Sequence, residues 1–247
     1  MTLFYILAFS FLGGAGSVGL AALALLIPRF TAARFVSVFV SYATGALLGA
    51  AFIGLIPHAL HELGAGALFP TVIAGIVAFF ILEKLLIWRH CHEANCPEHK
   101  TAGPLIIFGD ALHNFVDGVI IAAAFLTSIE LGIATAVAVI AHELPQELGD
   151  FMILLESGYS RARALAYNLL SSFTTFAGGL LAYFFLKELS QAVPYVMAVS
   201  AASFIYIALA DLIPGRRKHA SLSQTAIQTI LMLLGIGTIA LFHLHAH

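Results

Sequence analysis

Charge is scarce in this chain. Asp, Glu, Lys and Arg together make up 10% of its 247 residues, against about 25% in soluble domains. That is too little polar surface to cover a globule of this size, and a 61% hydrophobic share with a mean hydropathy of +0.99 agrees. The soluble globular class is excluded. The net charge of −2 leaves no positive excess to meet a phosphate backbone, so no nucleic-acid partner is expected. Cysteine is nearly absent: Cys91 and Cys96 are the only two. A structural disulfide between them stays open, but both fall in one short loop expected to face the reducing cytoplasm, so free thiols are the expectation. No Lys or Arg precedes Arg29. The first apolar run therefore lacks the basic flank of a cleavable signal peptide and is expected to be a retained helix.

What the chain does have is apolar runs. Crossing about 30 Å of hydrocarbon takes about 20 residues, and eight runs are long enough: approximately 3–27, 34–57, 68–88, 104–127, 130–155, 162–186, 192–214 and 222–244. Turn residues mark their edges, including Pro28, Gly64, Pro97, Gly158 and Gly215. The fold class expected is an all-α integral membrane protein with eight transmembrane helices in a single domain spanning 1–247. Ten of the eleven Lys and Arg residues lie in or beside the odd-numbered loops, and only Lys187 lies on the other side. The positive-inside rule then makes the odd loops cytoplasmic, among them the His- and Cys-containing loop 89–103, and both termini extracytoplasmic. The membrane expected is the cell (inner) membrane. A short echo links "GLIPHAL" at 54–60, read as closing the second run, to "ADLIPGR" at 210–216, read as closing the seventh. Those runs point in opposite directions, as an inverted 3+2+3 repeat centred on the fourth and fifth runs would require.

Two runs carry polar residues where a bilayer tolerates few. The fourth reads "GDALHNFVDGVIIAAAF", with His113 and Asp117 four apart on one face and Asn114 beside them. The fifth contains "AHELPQELGD", in which His142 with Gln146 and Glu143 with Glu147 are further i,i+4 pairs. His113 lies about 14 Å into its helix and His142 about 18 Å into its own, at 1.5 Å per residue. Antiparallel runs therefore bring both histidines to the midplane. Asp117, Glu143 and Glu147 are costly there, and Asp110 and Asp150 follow nearer the cytoplasm. No intramembrane Lys or Arg is placed to neutralise them. Either the acids are protonated or they surround a cation, and two imidazoles beside carboxylates favour a divalent transition metal. Pro145 is expected to kink the fifth helix and free the carbonyl of Ala141.

These two segments resemble the signature of the ZIP family of divalent metal transporters. "HNFVDG" at 113–118 is similar to that family's His-Asn-x-x-Asp-Gly motif, and "HELPQELGD" at 142–150 is similar to His-Glu-x-Pro-His-Glu-x-Gly-Asp, with Gln146 in place of the second histidine. The resemblance implies a primary metal site lined by His113, Asp117, His142 and Gln146. It implies an adjacent second site using Asn114 and Glu143 and sharing Asp117 and Gln146. It also implies a homodimer whose helices divide into a static wall and a moving bundle, an elevator carrying metal toward the cytoplasm. Zinc is the first expectation, with iron, manganese or cadmium as others. The metal is transported substrate, and no prosthetic group is expected. Gln146, a neutral and harder ligand than imidazole, puts affinity and metal preference in question. The sixth run offers no acid to complete a second site, only Ser171, Ser172 and Thr175.

Toward the cytoplasm the same faces carry Asp110, Glu147 and Asp150, expected to line an exit. Outward they carry Ile120, Ile121, Ala124, Thr135 and Ala138, expected to close an outer gate by apolar packing. Auxiliary metal contacts are expected from His90, Cys91, His92, Cys96 and His99 in the third loop, and from His58, His61 and Glu62 at the outer end of the second run. Two other readings stay open. An intramembrane zinc metallohydrolase would use the His-Glu start of "HELP", although Gln146 and Pro145 spoil the protease spacing. A proton- or sodium-coupled carrier of a non-metal substrate would use the acids and Asn114.

Overall fold

The computed structural model describes residues 1–25, 32–88, 102–212 and 221–244. Among them every regular element is helical, because in hydrocarbon each backbone N–H and C=O must find its partner within the segment. Eight rods result. Helix α1 covers residues 2–25 and α2 residues 32–63, each with a π-helical turn inside it, at Leu12–Gly16 and Ala50–Leu55. Helix α3 is Ala65–Trp88, α4 Ala102–Thr127, α5 Ile129–Glu156 and α6 Arg161–Glu188. Helix α7 covers residues 190–212 and ends in a π-helical turn, Ile207–Leu212, and α8 is Leu222–Leu244. Ser128 and Ser160 cap α5 and α6, their side-chain oxygens accepting from the backbone N–H of Leu131 and Arg163.

Seven of these rods are long and apolar enough to cross a membrane. The exception is α5, the helix that occupies the expected run 130–155. Glu130, Glu143, Glu147, Asp150 and Glu156 interrupt its hydropathy, so the helix carrying the most polar midsection is the one that composition alone does not single out. The structure differs from expectation at "GLIPHAL". It does not close α2, which continues as an α-helix through Ile56–Leu63 to Gly64, where φ is +66°. Pro57 is tolerated because it sits in the first turn after the π-helical turn, where its missing N–H costs no α-helical bond. The same logic does not apply to Pro145, yet α5 continues through it from Ile129 to Glu156.

Packing is most extensive between α4 and α6, and next between α2 and α8. Both crossings rely on missing side chains. A Cβ on Gly118 would collide with the Thr175 carbonyl, and one on Gly178 with the Phe115 carbonyl. Gly45 and Gly235 play the same part between α2 and α8, against Met232 and Tyr42. Helices α1 and α5 also pack on one another and on the α4–α6 pair, whereas α3 packs on α7. The two sets meet chiefly where α5 lies against α2 and α8, and where α4 touches α7. Overpacking a close crossing costs about 1–3 kcal/mol. Gly118→Ala is therefore expected to lower the unfolding midpoint of detergent-solubilised protein, while Gly237→Ala, with nothing within 4 Å of the added carbon, should leave it unchanged or raise it. Equal midpoints for the two variants would contradict this packing.

Candidate metal centre

The antiparallel crossing of α4 and α5 brings four side chains to one point. His113 and Asp117 come from successive turns of α4, and His142 and Glu143 from one turn of α5. His113 Nε2 lies 3.1 Å from His142 Nε2, 3.7 Å from Asp117 Oδ2 and 3.4 Å from Glu143 Oε1. His142 Nε2 lies 3.2 Å from Asp117 Oδ2 and 3.6 Å from Glu143 Oε1. These five separations connect the same four atoms. A zinc ion with nitrogen and oxygen ligands about 2.0–2.1 Å away in a tetrahedron needs ligand-to-ligand edges of about 3.3 Å. These five edges have the dimensions of a tetrahedral N2O2 cage, and all four atoms lie within 4.8 Å of one another.

Protonation and burial agree with that geometry. His142 Nδ1 lies 3.1 Å from the Ala138 carbonyl, which can only accept, so Nδ1 carries the proton and the Nε2 lone pair faces the cage. Both carboxylate oxygens of Asp117 and of Glu143 are buried with no hydrogen-bond partner. Leaving four such oxygens unsatisfied in a low-dielectric interior is expensive, and a cation among them removes the cost. The side chains of Asp117, His142 and Glu143 are at most 1% exposed, whereas that of His113 is 21% exposed. The cage therefore opens past His113.

Asn114 and Gln146, the amides that the resemblance adds to the site, are hydrogen-bonded beside the cage. Asn114 Nδ2 donates to Asp110 Oδ1 at 2.9 Å, and its Oδ1 accepts from Thr175 Oγ1 at 2.6 Å. Gln146 Nε2 donates to the same Asp110 Oδ1 at 3.3 Å. Both amides thus donate to Asp110. Of the α6 hydroxyls, Ser172 donates to Glu147 Oε1 at 2.8 Å and Thr175 to Asn114, while Ser171 lies within reach of the Asp110 carboxylate and of backbone carbonyls of its own helix.

Asp110 and Glu147 are buried, and only Asp150 of the expected exit acids is partly exposed. On the other side Ile120, Ile121, Ala124, Thr135 and Ala138 are all buried. His58, His61 and Glu62 lie apart from the cage and line a cavity of about 520 Å³ between the ends of α2, α4 and α7. His58 Nδ1 is 3.1 Å from the Gly54 carbonyl, and His61 Nδ1 is 3.3 Å from Glu62 Oε1. His90, Cys91, His92, Cys96 and His99 fall outside the described residues.

Three contacts escaped the sequence reading. Asn168 of α6 donates to the Glu147 carbonyl, the Phe204 ring of α7 meets His142 edge-on at 6.2 Å, and the Ala138 carbonyl orients His142. Only Asn168, a polar residue on an apolar helix, left a signal that could have found it.

The model of the family described as ZIP Zinc transporter matches residues 88–243, well over half of the chain. The chain belongs to the ZIP family. With seven helices able to cross a bilayer, this ZIP chain is an integral membrane protein. It is similar to Zinc transporter foi of Drosophila melanogaster, 44% identical over 142 residues that cover 57% of this chain and 20% of that protein. It is also similar to Zinc transporter ZIP10 of Danio rerio, 39% identical over 151 residues covering 57% and 18%. Zinc transporter ZIP4 of Homo sapiens is 45% identical over 123 residues covering 49% and 19%. The chain spans about a fifth of the length of these relatives.

The cage and its supports make graded demands. Asp117→Asn removes an unpartnered anion from the cage itself and is expected to weaken zinc binding by about 100-fold or more. Thr175→Val and Gln146→Ala act one shell out, where losses of about 10–100-fold are typical at most. Isothermal titration of purified protein with zinc measures the order, and a larger loss from Gln146→Ala than from Asp117→Asn would contradict the placement.

Proposed function

We propose that this ZIP-family chain carries a divalent transition metal, zinc first, across the cell membrane toward the cytoplasm. One observation carries the reading: four buried ligand atoms, two imidazole nitrogens and two carboxylate oxygens, spaced as a tetrahedral zinc site between α4 and α5. The residues assigned to the ion are His113, Asp117, His142 and Glu143, with Asn114 and Gln146 as supporting polar groups. Imidazole with carboxylate suits zinc and also admits iron, manganese and cadmium. The names of the relatives favour zinc. Four protein groups fill the tetrahedron and leave no open position for a hydrolytic water. A transporter, not an enzyme, is the reading.

The mechanism we favour is alternating access by an elevator. In its support, α1, α4, α5 and α6 pack as one body around the cage and α2, α3, α7 and α8 as another, each locked by a glycine-lined crossing. An exposed His113 edge with a buried Ile120, Ile121 and Ala138 layer is what a carrier open to the cytoplasm would present. All eight rods are taken to span the bilayer with both termini outside, as the distribution of basic residues requires. The inverted 3+2+3 repeat draws support from packing symmetry. Exchanging α1 with α6, α2 with α7, α3 with α8 and α4 with α5 maps the α2–α8 pair onto α7–α3, and α4–α6 onto α5–α1. Helices α2 and α7 also carry π-helical turns just before their Leu-Ile-Pro sequences. The homodimer rests on the family resemblance.

Uptake of labelled zinc by vesicles containing the purified protein tests the proposal. His113→Ala and His142→Ala are each expected to lower the initial rate by about 100-fold or more, since either leaves the cage with one imidazole and two unpaired acids. Uptake that is unaffected by both substitutions would refute it.

A further inference from the structure

Helix α1 supplies none of the four cage ligands, yet its π-helical turn, Leu12–Gly16, packs on α5 and α6 behind them. A π-helical turn holds one residue more than an α-helical turn and bulges the backbone to one side, and such turns are frequent at functional sites. Here the bulge carries glycine inward: Gly13 and Gly14 are buried, whereas Phe11 and Leu12 are half-exposed. Ser17 Oγ, five residues on, donates to the Leu12 carbonyl at 3.5 Å. The two glycines face different helices. A Cβ on Gly14 would collide with the Ser172 carbonyl of α6 and stand 3.1 Å from Thr175 Oγ1. One on Gly13 would lie 3.4 Å from Val139 Cγ1 of α5 and 3.9 Å from Ile121 Cδ1 of α4. These neighbours belong to the metal centre's surroundings. Thr175 Oγ1 donates to Asn114 Oδ1 at 2.6 Å, Ser172 Oγ to Glu147 Oε1 at 2.8 Å, and Val139 follows the Ala138 carbonyl that orients His142.

We propose that Gly14, carried inward by the π-helical turn of α1, is a positioning residue for the metal centre. Its missing side chain lets α1 and α6 approach closely enough for Thr175 to hold Asn114, the neighbour of His113. The proposal rests on the metal reading above. A methyl group at position 14 meets a backbone carbonyl, which no side-chain rotation can move aside. Helix α6 is already in backbone contact with α4 at Gly118 and Gly178, so it has no room to retreat toward α4. It has to slide or turn against α4, and a 2.6 Å hydrogen bond across that same crossing does not survive such a shift. Asn114 then loses its anchor, and with it the fixed donor that it offers Asp110 at 2.9 Å. The effect of Gly14 on the ion therefore passes through Thr175 and Asn114 and involves no contact with the ion.

Gly45→Ala is the matched control, since its added carbon collides with the Met232 carbonyl at the α2–α8 crossing, away from the cage. Both variants are expected to lower the unfolding midpoint of detergent-solubilised protein. In isothermal titration with zinc, Gly14→Ala is expected to weaken binding by about tenfold or more, as loss of an outer partner does, and Gly45→Ala to leave it unchanged. Equal zinc affinities in the two variants would overturn the proposal. A double-mutant cycle tests the route: Gly14→Ala combined with Thr175→Val is expected to bind zinc no more weakly than the weaker single variant, and losses that multiply would overturn it. If Gly14→Ala does not fold, hydrogen exchange of the unaltered protein with and without zinc decides. Slower exchange at residues 12–17 on adding zinc is expected, and protection confined to α4, α5 and α6 would overturn the proposal. Zinc titration of the unaltered protein is the reference. No binding there would refute the metal reading itself, whereas binding that Gly14→Ala leaves intact would refute the role of Gly14 alone.

Discussion

Carboxylates buried in hydrocarbon without a basic partner constrain everything else in this molecule. Asp117 and Glu143 bring four buried oxygens together, and among the described residues the ion-pair partners recorded beside them are His113 and His142, not Lys or Arg. The helices around them do not relieve the cost. They instead hold two imidazoles within 3.7 Å of those oxygens, one with its tautomer set by the Ala138 carbonyl. A fold that maintains such a cluster is stable in proportion to how well a cation fills it, and metal binding and folding become linked quantities.

The scaffold follows from that constraint. Close crossings at Gly118 with Gly178, and at Gly45 with Gly235, fix helices within each of two bodies, and the cage lies wholly in the body made of α1, α4, α5 and α6. Hydroxyl and amide groups of α6 reach the outer hydrogen bonds of the α4–α5 site, through Ser172, Thr175 and Asn168. From the other set of helices Phe204 meets His142 edge-on, and Met197 Sδ accepts from Thr127 Oγ1 of α4 at 3.3 Å.

Much of this was legible in the sequence because membrane helices obey few rules. Apolar runs marked the helices, the difference being that α2 continues as an α-helix past Pro57, while the acids of α5 dilute the hydropathy of a helix found where it was expected. The i,i+4 spacing of His113 and Asp117, and the depths of His113 and His142, were enough to expect them together. What spacing does not encode is which end of an amide faces a metal. Asn114 and Gln146 each carry a carbonyl and an NH2 group, and the NH2 groups turn to Asp110 because a second buried carboxylate one turn away needs donors. Nor does sequence reveal the π-helical turns in α1, α2 and α7, which depend on how the helices meet.

X-ray absorption at the zinc edge, on purified protein loaded with one equivalent of zinc, tests the central claim most directly. A first shell of four nitrogen and oxygen atoms at about 2.0–2.1 Å, with the outer-shell scattering of two imidazoles and no sulfur, is the result expected from His113, His142, Asp117 and Glu143. A sulfur shell at about 2.3 Å, which would place the ion at Cys91 and Cys96, or a first shell without imidazole, would contradict it.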